Sequence, residues 1–446
     1  MAYWTEHSLG FARQSAFGAA NSTDADFTYL KCETPTFAPA TEITELDLLT
    51  GQIGAGAERL VGRRSGTLSF TVPLEGFKAG YNPASTSNNP GDAGIIPPWF
   101  CLLANAMGSN NSAVASAADF AAGAMCSNSA YGSADVTSAT SEAITLDTGE
   151  GANQKCGAFM ATSTSATSTD VQMGFIKTKT GDVCTLFEAS GKTVDSASAN
   201  VYGTATAYAS DEAVDQIPLT FRWKGQDATF CYILQDCICE SINVTWEAGA
   251  VPTAEFSFRV YDYTMDKTKG TLEIPDSFSR VPQLVGSNNG RATINGSVAC
   301  TLASCTWNWS VTVTDVVCHS ATQGITGVVL SKPRIRASFS VLHTSGDLVY
   351  NAAGEAGNTG SHKWQSWLER GVPLSIATYV GSKIGRIWAQ LIPAATIIEV
   401  PAIENRDGAV AYTINVEAGS YSGDTTDTAE TAANSPINSI ARQALA

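Results

Sequence analysis

The sequence predicts a mainly β protein: two related β-sandwich or β-barrel units, each with a short flanking helix, plus a small inserted β subdomain. Three observations predict it. Apolar and polar residues alternate in many short runs, Leu68/Phe70/Val72 and Ile335/Ala337/Phe339/Val341 among them, and a period of two puts one face of a strand on a core. The run Ser69-Phe70-Thr71-Val72 has a counterpart in Ser338-Phe339-Ser340-Val341, and similar elements follow each in the same order. Such a repeat decides the architecture, and two copies are too few for a solenoid. Finally, only 15% of the 446 residues are charged, which suits closely packed β surfaces better than a solvated helical protein.

Taken in order, residues 1–30 read as an irregular N-terminal arm. The first unit covers 31–109 and 216–265. It opens on Glu42-Ile43-Thr44-Glu45-Leu46-Asp47-Leu48, then a Gly-rich loop (51–56), then Arg63-Arg64 and the Ser69–Val72 strand. The Gly/Pro/Asn/Ser loop from Lys78 to Ile95 has a length usually found in functional or partly disordered loops. A Trp-containing helix, Trp99–Met107 closed by Gly108, follows, and Phe256/Phe258/Val260 close the unit.

In the second unit, 291–421, Trp307/Trp309/Val311/Val313 alternate, a loop holds Gly324 and Gly327, and the 334–342 strand precedes a loop at 345–361. A helix candidate at Lys363–Leu368 and the strand Tyr412/Ile414/Val416 complete the copy. Phe70 to Phe256 spans 186 residues and Phe339 to Tyr412 spans 73, so 186 − 73 = 113 residues are inserted in the first copy alone. That insertion, 110–215, holds short β runs (171–176 and 182–187) bounded by Gly turns and reads as an outward-facing β subdomain. Residues 266–290 read as a linker. Residues 422–446 read as a loose tail whose 437–446 end forms one short helix on binding.

The net charge of −16 argues against a protein that grips nucleic acid by neutralising phosphates. No run approaches 18 apolar residues, and the start Met1-Ala2-Tyr3-Trp4-Thr5-Glu6-His7 lacks the basic and apolar regions of a secretion signal. Retention in a cytosol-like, reducing compartment is therefore expected, and with it mostly free, half-buried thiols for the eleven cysteines, an odd number. Cys237 and Cys239 share one strand face, and Cys300, Cys305, Cys318 and His319 cluster. Neither spacing matches a metal-ligand pattern, so both sets read as small buried hydrophobes.

His7, His319, His343 and His362 are scattered, and no Gly-x-Ser-x-Gly elbow occurs. Ala189-Ser190-Gly191-Lys192-Thr193 resembles the end of a phosphate loop, but the required first glycine is Leu186. Glu42/Glu45 and Asp211/Glu212 read as surface charges. Trp307 and Trp309, two apart, read as core or interface rather than a sugar-binding stripe. No catalytic, cofactor or metal residue is expected, and an enzyme is not.

The order of elements resembles the tail tube (major tail) proteins of long-tailed bacteriophages, in a duplicated-domain form. The resemblance rests on Ser8-Leu9-Gly10-Phe11-Ala12 and Ser15-Ala16-Phe17-Gly18, the acidic–Gly loop–Arg–strand run at 42–74, the helix 99–107 with Gly108, and the β insertion. Ile242-Asn243-Val244-Thr245 and its Gly249 turn into Glu255–Tyr261 complete it. It implies a structural virion protein, six of whose units close into a ring; rings stack into a hollow tube that carries DNA. Two units per chain then imply a trimeric, pseudo-hexameric ring.

The implied partners are the chain itself, a tape-measure protein, tail terminator and baseplate or tail-tip proteins, and DNA in transit. Thr67, Ser69, Thr71, Arg336, Ser338 and Ser340 would face the lumen, and the loops 77–96 and 345–361 would make axial contacts. An outer insertion would obstruct a sheath, which favours a flexible, sheathless tail. Arg63, Arg64, Arg334 and Arg336 flank the lumen strands, so lumen charge depends on how they are paired. The competing readings are another virion part (capsid decoration or baseplate), a secreted β-sandwich adhesin or lectin, and a β-fold hydrolase.

Overall fold

The computed structural model describes residues 7–46, 58–78, 96–108, 126–128, 136–165, 168–190, 192–194, 199–225, 231–247, 249–266, 272–273, 275, 278–280, 290–294, 297–298, 302–318, 324–342, 368, 371–406, 408–427 and 436–446. They form a mainly β protein of the sandwich and barrel class, in which one large sheet bends around a continuous apolar core.

Eight strands run side by side, each antiparallel to the next. In spatial order they are the Phe37 strand (Glu33–Leu46), the Phe70 strand (Glu58–Pro73), the Phe256 strand (Thr253–Val260) and the Val244 strand (Cys231–Glu247). The Trp307 strand (Leu302–Ser310), the Phe339 strand (Arg334–Leu342), the Ile414 strand (Ala409–Ala418) and the Ile403 strand (Ala402–Arg406) continue the series. The alternation read from sequence puts Leu68, Phe70, Val72, Phe256, Phe258, Ile242, Val244, Trp307, Trp309, Ile335 and Phe339 on the buried side. Phe70 stacks on Phe256 and Phe258 with centroids 5.6 and 5.9 Å apart, an offset arrangement that adds to simple area burial.

A second layer lies behind this wall, and its connectivity is the same in both units. In the first, His7–Arg13 pairs with Thr28–Leu30 and with Leu219–Gly225, which pairs in turn with the N-terminal half of the Val244 strand. In the second, Gly290–Ile294 pairs with Ser297–Val298 and with Leu374–Val380, which pairs with Trp388–Ile397. Asp262–Met265 closes the first unit on Tyr232–Gln235, and Ala441–Leu445 takes the same place on Trp388–Leu391.

The 17-residue Val244 strand serves both layers because it bends. Asp236 has φ +52°, and the pairing register shifts between Cys239 and Ser241, as an extra residue in one strand requires. The helix Pro98–Ala106 fills the space between the layers, with all nine residues buried. Its Pro98 occupies the first turn, where a missing N–H costs nothing. Gly108 at φ +77° ends it, a conformation that only glycine adopts without strain. Asn105 fastens the helix to the returning chain: Ile217 N–H donates to its Oδ1 and its Nδ2 donates to Ile217 O, both at 3.0 Å.

Four expectations are corrected. Residues 7–13 are a core strand with Leu9, Phe11 and Ala12 buried, not part of an irregular arm. The 437–446 end is the buried strand Ala441–Leu445, not a helix. Tyr412 is not the counterpart of Phe256, since Phe70 pairs with Phe256 whereas Phe339 pairs with Ile414. The insertion does form its own sheet, in the order Asn200–Tyr202, Phe159–Ser163, Val171–Thr180, Val183–Leu186, Ala143–Leu146, Val136–Ala139. It does not stand apart, however. Thr204–Ala209 and Cys126–Asn128 extend the second unit's sheet beyond Ala441–Leu445, and Phe159, Phe175 and Tyr202 pack on Tyr379, Ile387 and Leu391.

Of the expected linker, Phe278–Arg280 pairs with Glu75–Lys78. The Gly-rich loop 51–56, residues 79–95 and 345–361 of the two long loops, and 363–367 of the second helix candidate lie outside the described residues.

Candidate functional site

The wall's other face is polar and continuous across both units. Cross-strand partners run Thr36–Ser69–Ser257–Ser241–Ser310–Arg334 in one row. The next row runs Thr71–Glu255–Asn243–Asn308–Arg336–Glu417. All six residues picked from sequence lie on this face. Thr67 and Arg336 are exposed, and Ser69, Thr71, Ser338 and Ser340 are half-buried. The two triplets are not neighbours. The Phe256, Val244 and Trp307 strands lie between them, which at about 4.8 Å per strand separates them by about 19 Å. Sequence reasoning missed these intervening contributors: Ser241, Asn243, Ser257, Thr306 and Asn308 complete the face. The Asn308 Nδ2 donates to Asn243 Oδ1 at 2.6 Å across the junction of the units.

Each of the four arginines that flank this face is held by a carboxylate of its own chain. Arg334 forks onto Glu417 with two 3.0 Å bonds, and Arg336 Nε donates to the same carboxylate at 3.0 Å. The Arg334 hydrogen bond, with help from Arg336, outweighs burial and holds the Glu417 carboxyl below its ordinary range. Arg63 Nη1 meets Asp315 at 3.0 Å, and Arg259 and the Tyr261 hydroxyl reach the same carboxylate at 3.3 and 2.6 Å. Burial works to raise the Asp315 pKa; the Tyr261 hydroxyl, Arg63 and Arg259 outweigh it, and the net shift is downward. Arg64 sits 3.6 Å from Asp262. The Asp315 cluster also ties the units together, because Arg63 and Arg259 belong to the first and Asp315 to the second.

The other sequence candidates resolve simply. Trp307 and Trp309 are 1% and 0% exposed, which removes them from any sugar-binding surface. Lys192 of the Gly-Lys turn is tied to Asp170 at 2.5 Å and to Thr169 O at 3.1 Å. Cys237 and Cys239 are buried, and desolvation raises both thiols well above their usual value; burial pushes Cys305 and Cys101 up to about 12. Such thiols stay protonated and are poor nucleophiles and ligands. Among the described residues no group of three His, Cys, Asp or Glu side chains is placed to hold a metal ion. Cys300 and His319 of the expected cluster lie outside the described residues. No helix among the described residues is long and apolar enough to cross a membrane.

Compared with known proteins, the chain matches no protein-family model and no curated sequence. What the site offers chemically is a broad face of hydroxyls and amides, with cations that are already neutralised. Such a face makes weak contacts over a large area.

Proposed function

We propose that this protein is a structural, non-enzymatic subunit of a hollow tube, the tail tube of a long-tailed phage or a related particle, with three two-unit chains forming each ring. One observation carries the reading: the two units contribute equal four-stranded parts to a single curved wall, apolar behind and polar in front. A wall of this kind gains from closure, because closure pairs the edge strands that an isolated sheet leaves open. Heterologous contacts that close make rings, and contacts that do not close make filaments.

The polar front then lines the lumen, with Thr67, Ser69, Thr71, Arg336, Ser338 and Ser340 among its residues. Its arginines are paired, so it offers DNA little to grip. The insertion lies on the opposite side, toward the outside. The hairpin Val313–Val317/Ile325–Leu330 carries exposed Val316, Val317 and Val329, apolar side chains suited to contact with a neighbouring subunit. The partners are further copies, a tape-measure protein within, terminator and tip proteins at the ends, and DNA in transit. Assembly takes place in the host cytoplasm.

Electron microscopy of the purified protein across a concentration series tests this. Hollow rings or tubes are expected. Solid, discrete particles, or monomers even when a tail initiator is added, would contradict the reading.

A further inference from the structure

The junction between the two units is a template for the junction between chains. Inside the chain, the Val244 strand of the first unit pairs with the Trp307 strand of the second: Val244 faces Trp307, Asn243 faces Asn308 and Thr245 faces Thr306. Val244 and Trp307 are each 1% exposed as a result. The repeat provides an unsealed counterpart of both sides. Phe70 corresponds to Phe339 through the shared Ser-Phe-x-Val strands, so the strand pairings of one unit translate directly into the other. Ala254, the partner of Val244, corresponds to Tyr412, whose partner is Ile403. Leu68, the partner of Phe37, corresponds to Ala337, whose partner is Trp307. Ile403 is thus the second unit's Val244, and Phe37 is the first unit's Trp307.

Both lie at the two ends of the eight-stranded wall. Ile403 is 71% exposed where its counterpart is sealed. Beside it, Ile398, Val400 and Val410 are exposed as well. Phe37 is half-buried, held from one side by Tyr232 and Tyr263 with centroids 5.8 and 5.2 Å away. Exposed apolar side chains at a sheet edge mark a contact surface.

We infer that the Ile403 strand of one chain pairs antiparallel with the Phe37 strand of a second copy, in the register Ile403 opposite Phe37, Ala402 opposite Ala38 and Glu404 opposite Thr36. The same register sets Pro401 opposite Pro39. Neither proline carries an N–H, so the two missing donors fall at one point of the ladder, while Pro35 faces Asn405 at its other end. The inference rests on the ring-forming reading above and adds its residue-level contact.

Engineered cysteines test it. Ala38 and Ala402 are exposed, so Ala38→Cys/Ala402→Cys leaves the fold intact, and in this register the two Cα atoms come within disulfide reach. After mild oxidation at assembling concentrations, a non-reducing gel should show a covalent trimer, at about fivefold or more over the displaced pair Ala40→Cys/Ala402→Cys, whose Cα separation exceeds disulfide reach. Ile403→Asp, also at an exposed site, should abolish rings while the monomer keeps its wild-type circular dichroism. A ladder running past three copies would uphold the register and overturn three-chain closure. Rings without the disulfide, or with the displaced pair forming it equally, would overturn the register and leave the tube reading in place. Neither rings nor disulfide at any concentration, with the initiator added, would overturn both.

Discussion

The two units share a strand plan but are covered on the outside in different ways. Behind the first unit, the strand Leu219–Gly225 turns Arg222 and Lys224 outward, and residues 21–30 close over them. Asp24 pairs with Arg222, Phe27 lies 3.9 Å over its guanidinium, and Tyr29 covers Lys224 at 5.4 Å. Behind the second unit, the corresponding strand Leu374–Val380 turns Ala377 and Tyr379 outward, and the insertion seals them with Phe159, Phe175 and Tyr202. A short local segment suffices where the outer face is cationic, because each contact is directional and charge-assisted. An apolar outer face needs a larger lid, and that lid comes from the other unit's chain. The lesson is that a duplicated fold keeps its core pairing while each copy solves its outer surface separately.

The contrast can be broken at its strongest point first. Asp424 and Arg442 form a fully buried ion pair where the C-terminal strand meets the insertion, with Tyr421 O–H and Asn438 N–H donating to the same carboxylate at 3.1 and 3.0 Å. Arg442→Ala should cost about 3–5 kcal/mol in urea unfolding, because it strands a buried charge. The double variant Arg442→Met/Asp424→Leu should recover most of that loss. Next, Phe159→Ala should cost about 3–4 kcal/mol as a core truncation. It should speed amide exchange in Leu374–Val380 and leave Leu219–Gly225 unchanged. Phe27→Ala should do the reverse at about 2 kcal/mol, the size of a desolvated cation–π contact. Equal effects on both strands from either variant would mean the covers are not independent.

A smaller effect concerns pH. Asp315 and Glu417 both titrate below their ordinary values, so the folded state takes up their protons less readily than the unfolded state. Their contribution is complete above the unfolded carboxylate value, near 4, and is lost as pH falls through the lower folded values. Urea midpoints should therefore fall with pH below about 4, and less steeply in Asp315→Asn and Glu417→Gln, by the linkage of proton uptake to unfolding. An unchanged slope would show that these carboxylates do not anchor the flanking arginines in solution.

How much of this was legible in the sequence depended on whether a residue's partner was close by in pattern. The Phe70 and Phe339 strands were readable because a period of two is a local signal, and it correctly put Thr67, Ser69, Thr71, Arg336, Ser338 and Ser340 on one face. That the two triplets share a sheet was not readable, since it depends on the Val244–Trp307 pairing 63 residues apart. The C-terminal strand was misread for a physical reason: Ile440, Ala441, Ala444 and Leu445 have helical spacing. In the fold both faces of that strand are buried, and its polar residues find partners only in three dimensions, Arg442 on Asp424 and Gln443 on the Trp388 indole at 2.8 Å. His7–Arg13 hid in the same way. Its Gly10 is required because a Cβ there would lie 2.7 Å from the Tyr29 ring, and nothing local announces that contact.

The account's central claim is that one chain supplies two wall units. End-on class averages of assembled rings test it most directly. Three strong outer lobes over six inner ones are predicted, since a single insertion decorates each pair of units. Six equivalent outer lobes would contradict it.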